Sequence, residues 1–348
     1  MTQIFQANLL SFRSDNPKSK IENLKWWGIF AIAFAFAFGG TVALAQQPTK
    51  VPRIGYLSLA AKASPRDEAF AKQLRDLGWT DGHNIAIEYR WAANKAENLA
   101  TLADELVALK VDIIAAAATP AVHAAKNATK TIPIVMISVA DAVGSGFVAS
   151  LAQPGGNITG TTNIMPELAA KRLELLKEVM PKHSRVAFMA YGPDPAHRLF
   201  VKDAQDGARS FKIGFQPLVL NSVDEIDSAF QSMVKERAGA LIVQPLFPSV
   251  LGQGSRIAAL AVKNRIPTIS DGFQFPEQGG LMFYGPDVVG AYQRAAMFVD
   301  KILKGRKPAD LPVEQPTKFE FIVNLKTAKQ IGLTIPPNVL ARADKVIK

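Results

Sequence analysis

Three short motifs set an oxygen-bearing side chain directly before a proline: Ser64-Pro65, Thr119-Pro120 and Asp194-Pro195. Each follows an apolar, strand-like run and precedes an amphipathic one, the pattern of a helix N-cap with proline at the first helical position. Such helix starts leave backbone N–H groups free and carry the positive end of the helix dipole, a seat for a carboxylate or other anion. Capping alone is common, and most caps bind nothing, so position matters more than type. Ser64 and Thr119 follow the first and third strand-like runs of one half of the chain, and Asp194 follows the first of the other half. Polar residues at strand ends complete a candidate ligand set of Ser58, Thr119, Ser138, Asp141, Thr162, Tyr191, Gln244 and Asp271. Its donors, acceptors and two acids suit a small zwitterion, with amides for the carboxylate and an Asp for the ammonium group.

Signatures of catalysis are weak. The loop after the first strand, GYLSLAAKASP, lacks the glycine spacing of a dinucleotide site and has no Walker lysine, so no cofactor is expected. Gly144-Ser145-Gly146 is not a nucleophile elbow. His83, His123, His183 and His197 stand far apart without metal-ligand spacing, and the acid pairs Asp67-Glu68 and Asp104-Glu105 fit solvated helix faces. An aromatic ligand would need stacking faces, for which Tyr56, Trp91, Tyr191, Phe247 and Phe273 are the candidates. Core packing is the simpler explanation for most of them; Tyr191 and Phe273 lie just past strands.

The elements that would position these residues centre on 132–163. There Pro133 precedes a continuous apolar run, Ile134 to Ile137, suited to a parallel strand covered on both faces. Ser138 and Asp141 end it, and the PGGN turn at 154–157 leads into a strand from Ile158 to Asn163. Before this stretch, strands are expected at Arg53 to Ser58, Asn84 to Arg90 and Val111 to Ala116, with helices at Pro65 to Leu77, Lys95 to Leu109 and Pro120 to Thr129. After it the alternation repeats, with helices over Glu167 to Met180, Pro195 to Phe211, Asp224 to Arg237 and Ser249 to Asn264. Intervening strands fall at Arg185 to Ala190, Phe215 to Leu220, Ala240 to Gln244 and Pro267 to Ser270. The tail adds strands at Leu281 to Tyr284 and Phe319 to Asn324 around a helix from Asp287 to Leu303, so the chain must cross between the halves more than once. The fold class is therefore α/β, with two doubly wound parallel-sheet lobes facing a cleft.

Composition bounds the rest. With 348 residues and 48% hydrophobic content, the chain favours two domains over one. The absence of cysteine excludes disulfides, thiolate metal sites and a Cys nucleophile. Residues 26–45 are uncharged, follow Lys18, Lys20 and Lys25, and end in Ala43-Leu44-Ala45, which reads as a secretory signal peptide (1–45) cleaved before Gln46. An uncleaved anchor is the alternative; either way the remaining protein is expected in the periplasm. Removing that leader, with four basic and two acidic residues, takes the net charge from +10 to +8. The basic residues are scattered among acids, so nucleic acid is not an expected partner.

Several segments in order resemble one family: PRIGYLS at 52–58, GHNIAIEYRWA at 82–92, ATPAVHAAK at 118–126 and the run from Ile132 to Gly160. KRLELLKEVMP at 171–181, YGPD at 284–287, the stretch 301–337 and LARADKVI at 340–347 continue the match. Together they resemble the tryptophan/tyrosine-type ABC transporter substrate-binding proteins over essentially all the chain after the leader. The resemblance implies a periplasmic-binding-protein type I fold with a multi-crossover hinge, an amino acid or similar ligand, and an ABC permease as partner. It also implies that Ser58, Thr119, Ser138 and Asp141 face the ligand from one lobe, with Tyr191, Gln244 and Asp271 opposite. Ala142 stands where proline is usual in the family and Ala117-Ala118 where glycine is common, both near this site. The expectation is a monomer with an N-terminal lobe of 50–163 plus 281–310 and a C-terminal lobe of 164–280 plus 317–348. The rival functions are a ligand sensor for a membrane receptor and an exported α/β enzyme.

Overall fold

The first lobe is built on five strands: β1 (Arg53–Ser58), β2 (Ala86–Trp91), β3 (Ile113–Ala117), β4 (Ile134–Ala140) and β5 (Ile158–Asn163). They lie in the order β2-β1-β3-β4-β5 and pair in parallel throughout. These observations come from a computed structural model that describes residues 50–163, 166–180 and 185–348. The expected leader, Pro181 and His183 lie outside the described residues. Alternate residues of β1 enter opposite layers. Ile54 and Tyr56 pack with Phe70 of α1 (Pro65–Asp76), whereas Leu57 packs with α2 (Asn98–Ala108) and α3 (Ala118–Ala128). Cover on both faces is why these strands read as unbroken apolar runs.

The second lobe continues through α4 (Pro166–Val179), β6 (Arg185–Tyr191), α5 (His197–Ser210), β7 (Gly214–Leu220), α6 (Ile226–Lys235) and β8 (Ala240–Val243). Next come α7 (Leu246–Ser249), α8 (Gly254–Lys263), β9 (Thr268–Ser270) and β10 (Met282–Pro286). The chain then returns to the first lobe as α9 (Val288–Leu303), which lies against α1 and β4. It ends in the second lobe with β11 (Phe319–Asn324), α10 (Leu325–Gln330), α11 (Pro337–Leu340) and β12 (Lys345–Ile347). The second sheet runs β12-β11-β10-β9-β8-β6-β7, with β10 and β11 antiparallel.

Three passages join the lobes: after Asn163, at Pro286–Val288, and between Glu314 and Phe319. They are tied to one another. Glu314 N donates to Gly160 O at 2.9 Å, Thr162 N to Glu314 O at 3.0 Å, and Asp287 N to Lys318 O at 3.0 Å. Strand order reverses between β1 and β3 in one sheet and between β6 and β8 in the other, and the carboxyl ends at these switch points open toward the cleft.

Several expected boundaries shift for identifiable reasons. The strand expected to stop at Ile137 continues to Ala140, because Ser138, at φ 53°, forms a bulge that moves the register between Met136 and Val139. Thr119 lies inside α3, which starts at Ala118, and α5 starts at His197, leaving Asp194-Pro195 in the preceding turn. The single helix expected from Ser249 to Asn264 is two, separated at Gly252 with φ 68°. The expected segment 281–310 divides: Met282–Pro286 pairs with β9 and β11 in the second sheet, and only the helix after it packs on the first.

Beside the bulge, Gly160 has φ 132°, and a Cβ there would lie 2.2 Å from Met136 O. Gly160→Ala is expected to destabilise the protein by about 3 kcal/mol through backbone strain and strand separation. Urea denaturation checks this; a loss below about 1 kcal/mol would mean that β4 and β5 can spread without cost.

Candidate functional site

Between the strand ends lies a cavity of about 610 Å³, its open mouth included, walled by both lobes. The first lobe contributes the start of α3 (Ala118, Thr119), the bulge of β4 (Ile137, Ser138, Ala140) and Asn163. The second contributes the turn after β6 (Asp194), α5 (Phe200), α7 and its flanks (Pro245, Leu246, Ser249, Val250) and Asp271 after β9. Arg66 of α1 and Val288 and Tyr292 of α9 close the remaining side.

Of the residues singled out in the sequence, Thr119, Ser138 and Asp271 meet in this cavity. Their side chains are partly committed to protein. Thr119 Oγ1 accepts from Ala140 N at 3.0 Å, and Ser138 Oγ accepts from Asn163 Nδ2 at 3.0 Å. Asp271 Oδ2 accepts from Arg172 Nη2 at 2.9 Å, and Arg172 Nε donates to Tyr284 O at 3.0 Å. Burial pushes the Asp271 carboxyl up, and the adjacent guanidinium opposes that rise.

Gln244 stands one layer back. Its Oε1 accepts from Tyr191 N at 2.6 Å, and its Nε2 donates to Asp194 Oδ2 at 2.6 Å, so it aims the Asp194 carboxylate. The other named residues are placed elsewhere. Ser58 Oγ accepts from Ala60 N at 3.2 Å, Asp141 Oδ1 accepts from Gly144 N at 2.9 Å, and Tyr191 packs edge-on against Phe247. Thr162 Oγ1 accepts from Ala142 N at 2.9 Å and lines a separate hollow at the lobe crossings with Asp287, Arg294 and Glu314.

Two buried ionisable side chains at the cavity, Asp194 and Arg66, were absent from the sequence-derived set. Asp194 is 1% exposed; Oδ1 accepts from Ala196 N at 3.0 Å, Oδ2 from Gln244, and among the described residues it has no cation in salt-bridge range. Burial raises its pKa to about 7 against the pull of those two bonds. Arg66 is 6% exposed, its guanidinium 5.4 Å above the Tyr292 ring, and among the described residues it has no carboxylate in salt-bridge range. The neighbouring Asp67 is occupied by the Tyr56 hydroxyl and by Ser64 N and Oγ. Asp194 carried a signal as one of the residues before proline, and Arg66 follows Pro65 directly. Tyr292 and Phe200, the aromatic rings at the cavity, read as helix core positions. None of Tyr56, Trp91, Tyr191, Phe247 and Phe273 lines it; Trp91 instead stacks on Tyr89 with centroids 5.9 Å apart. Among the described residues, no three His, Cys, Asp or Glu side chains gather as a metal-holding group.

This two-lobed frame, with its cleft at the strand ends, is that of type I periplasmic binding proteins. The family model described as "ABC transporter substrate binding protein" matches residues 64–347. The chain is 30% identical over 266 residues to the tyrosine-binding protein of Clostridioides difficile (strain R20291), covering 76% of each. It belongs to the ABC transporter substrate-binding protein family.

Among solved structures, an ABC domain of Streptococcus pneumonia in complex with L-Trp matches with TM-score 0.77 and 26% identity, covering 85% of this chain and 99% of that one. A ligand-free, open substrate-binding protein with adhesive properties from Clostridium difficile matches with TM-score 0.60 and 28% identity, covering 86% and 100%. A conserved domain protein of Vibrio cholerae shares the fold at TM-score 0.78 and 24% identity, covering 85% and 100%. The family and the L-Trp-bound neighbour are binding proteins.

Two measurements follow from this geometry. A cation held by Asp194 needs the ionised carboxylate, so affinity for an ammonium ligand should fall about tenfold per pH unit as pH drops below about 7. Without ligand the sign is opposite: the raised pKa adds stability that is full below the ordinary carboxylate range and is lost as pH rises through about 7. Calorimetry and melting from pH 5 to 9 test both, and Asp194→Asn should flatten both profiles. Separately, Asp271→Asn leaves Arg172 buried without its countercharge and should cost about 3–5 kcal/mol in urea denaturation, whereas replacing both partners with apolar residues should cost much less.

Proposed function

We propose that this chain is an exported solute-binding protein that captures a small zwitterion, an amino acid or similar molecule, between its lobes and delivers it to an ABC permease. The observation that carries this reading is the presence, in one cavity walled by both lobes, of a buried cation that has no carboxylate partner among the described residues and a buried carboxylate that has no cation among them. Each lacks what an α-amino acid supplies. The ligand ammonium is assigned to Asp194, steered by Gln244, and its carboxylate to Arg66 and the first N–H groups of α3. The side chain is assigned to the apolar wall of Ile137, Phe200, Leu246, Val250 and Tyr292. The tyrosine-binding relative and the neighbour holding L-Trp support the ligand class. Family membership supports the permease as partner. Export rests on residues 26–45; among the described residues no helix is long and apolar enough to cross a membrane.

A thermal-shift screen tests this after an unfolding and refolding step that strips carried ligand. An amino acid at about 100 times its Kd should add about 2.7 kcal/mol of stability. Calorimetry should then give one ligand per chain, and the matching amine or carboxylate alone should bind more weakly. Stabilisation by uncharged sugars and by no amino acid would sink the zwitterion assignment.

A further inference from the structure

Arg66 reaches across the cleft. It belongs to the first turn of α1 in the first lobe, yet its Nη2 donates at 2.5 Å to the carbonyl of Ser249, the last residue of α7 in the second. Its Nε lies 3.5 Å from Ser64 Oγ, and its planar group faces Tyr292. A guanidinium has five donors, and these contacts engage only part of that capacity. Among the described residues its charge has no carboxylate counterion, although the side chain is only 6% exposed. The lobes are closed around it. One buried apolar cluster runs from Leu57, Leu59 and Ala92 to Tyr191, Leu220 and Phe247 across the cleft. The TM-score likewise falls from 0.77 against the L-Trp complex to 0.60 against the open, ligand-free relative, at similar identity.

We propose that Arg66 makes closure of the lobes conditional on a carboxylate: an anionic ligand group neutralises the guanidinium as the cleft shuts, and the same guanidinium then holds Ser249 across it. This rests on the amino-acid reading above and assigns one residue to both ligand selection and closure. With the cleft open, Arg66 is hydrated and costs nothing. Shutting an empty cleft strips that water from an unpaired cation, a penalty that one bond to a neutral carbonyl does not offset. Shutting it on a carboxylate replaces water with a charge-assisted contact, so the ligand itself completes the bond between the lobes. A neutral ligand, or an amine without a carboxylate, fills the space but leaves the penalty in place. Ligand affinity and lobe position are thus linked through their shared dependence on one charge.

The test combines calorimetry and small-angle X-ray scattering on the wild type, Arg66→Met and Arg66→Lys, each checked for folding by circular dichroism. The probes are L-tyrosine, L-tryptophan, and the corresponding amines tyramine and tryptamine. In the wild type the amino acids should bind about 100-fold more tightly than the amines and reduce the radius of gyration. Arg66→Met should bind acid and amine alike, be more compact than wild type before ligand is added, and compact little further. Arg66→Lys should keep part of the preference. A preference and a ligand-driven compaction unchanged in Arg66→Met would overturn the proposal. Should the wild type bind none of the four probes, the amino-acid reading fails on its own account. The ligand-free radii then decide: a more compact Arg66→Met still supports the charge penalty on closure, and equal radii overturn it.

Discussion

Everything at the cleft depends on how the chain passes between its two sheets. The short bonds from Glu314 to Gly160 and Thr162, and from Asp287 to Lys318, gather the passages at one side of the molecule. Parallel strands leave their sheet at the carboxyl end, and these tethers hold one set of carboxyl ends against the other. The same passages carry α9 back onto α1. That return brings Tyr292 to Arg66, which lies more than two hundred positions away in the sequence. Without it β4 and α1 would lose the helix packed on them, and the cleft wall would miss one side.

The cleft so formed separates two kinds of buried charge. Arg172 and Asp271 satisfy one another within the second lobe, and the pair fixes α4 against the loop after β9. Arg66 and Asp194 approach the cavity from different lobes, and each is held by neutral partners. Burial without a counterion is costly, so a protein keeps such groups where something else supplies the missing charge. That physical difference, more than the number of polar residues at the rim, sets Arg66 and Asp194 apart from the self-satisfied Arg172–Asp271 pair. The burial of both side chains strengthens it, because a low local dielectric raises the worth of each charge-assisted contact.

Much of the frame was legible in the sequence because periodicity reports burial. Apolar runs such as Ile134 to Ile137 and amphipathic runs such as Val288 to Leu303 declare strands and helices whatever their neighbours. The site was legible only in part. Strand-end position picked out Thr119, Ser138 and Asp271, which line the cavity, and the residue-before-proline pattern drew attention to Asp194 as a cap. It could not show that Gln244 aims Asp194, or that Thr162 and Asp141 spend their oxygens on nearby backbone N–H groups. Ser138 and Gly160 also escaped pattern reading as a unit, since a bulge is a property of two paired strands and not of either alone.

By itself, then, the sequence determined the α/β class, the two-lobed alternation, the family and the absence of cysteine chemistry, because these follow from local periodicity, composition and ordered motifs. Only the tertiary structure decided that β10 joins the second sheet while α9 covers the first, since a short apolar strand carries no label for its partner. Only the tertiary structure, likewise, distinguished Asp271, neutralised by Arg172, from Asp194, left with neutral donors. The ionic role of a side chain is set by which charges come within a few ångströms of it. For Asp271 that charge is Arg172 on another element, whereas Arg66 and Asp194 meet neutral groups there, the Ser249 carbonyl and the Gln244 amide, all of them tens to hundreds of residues away.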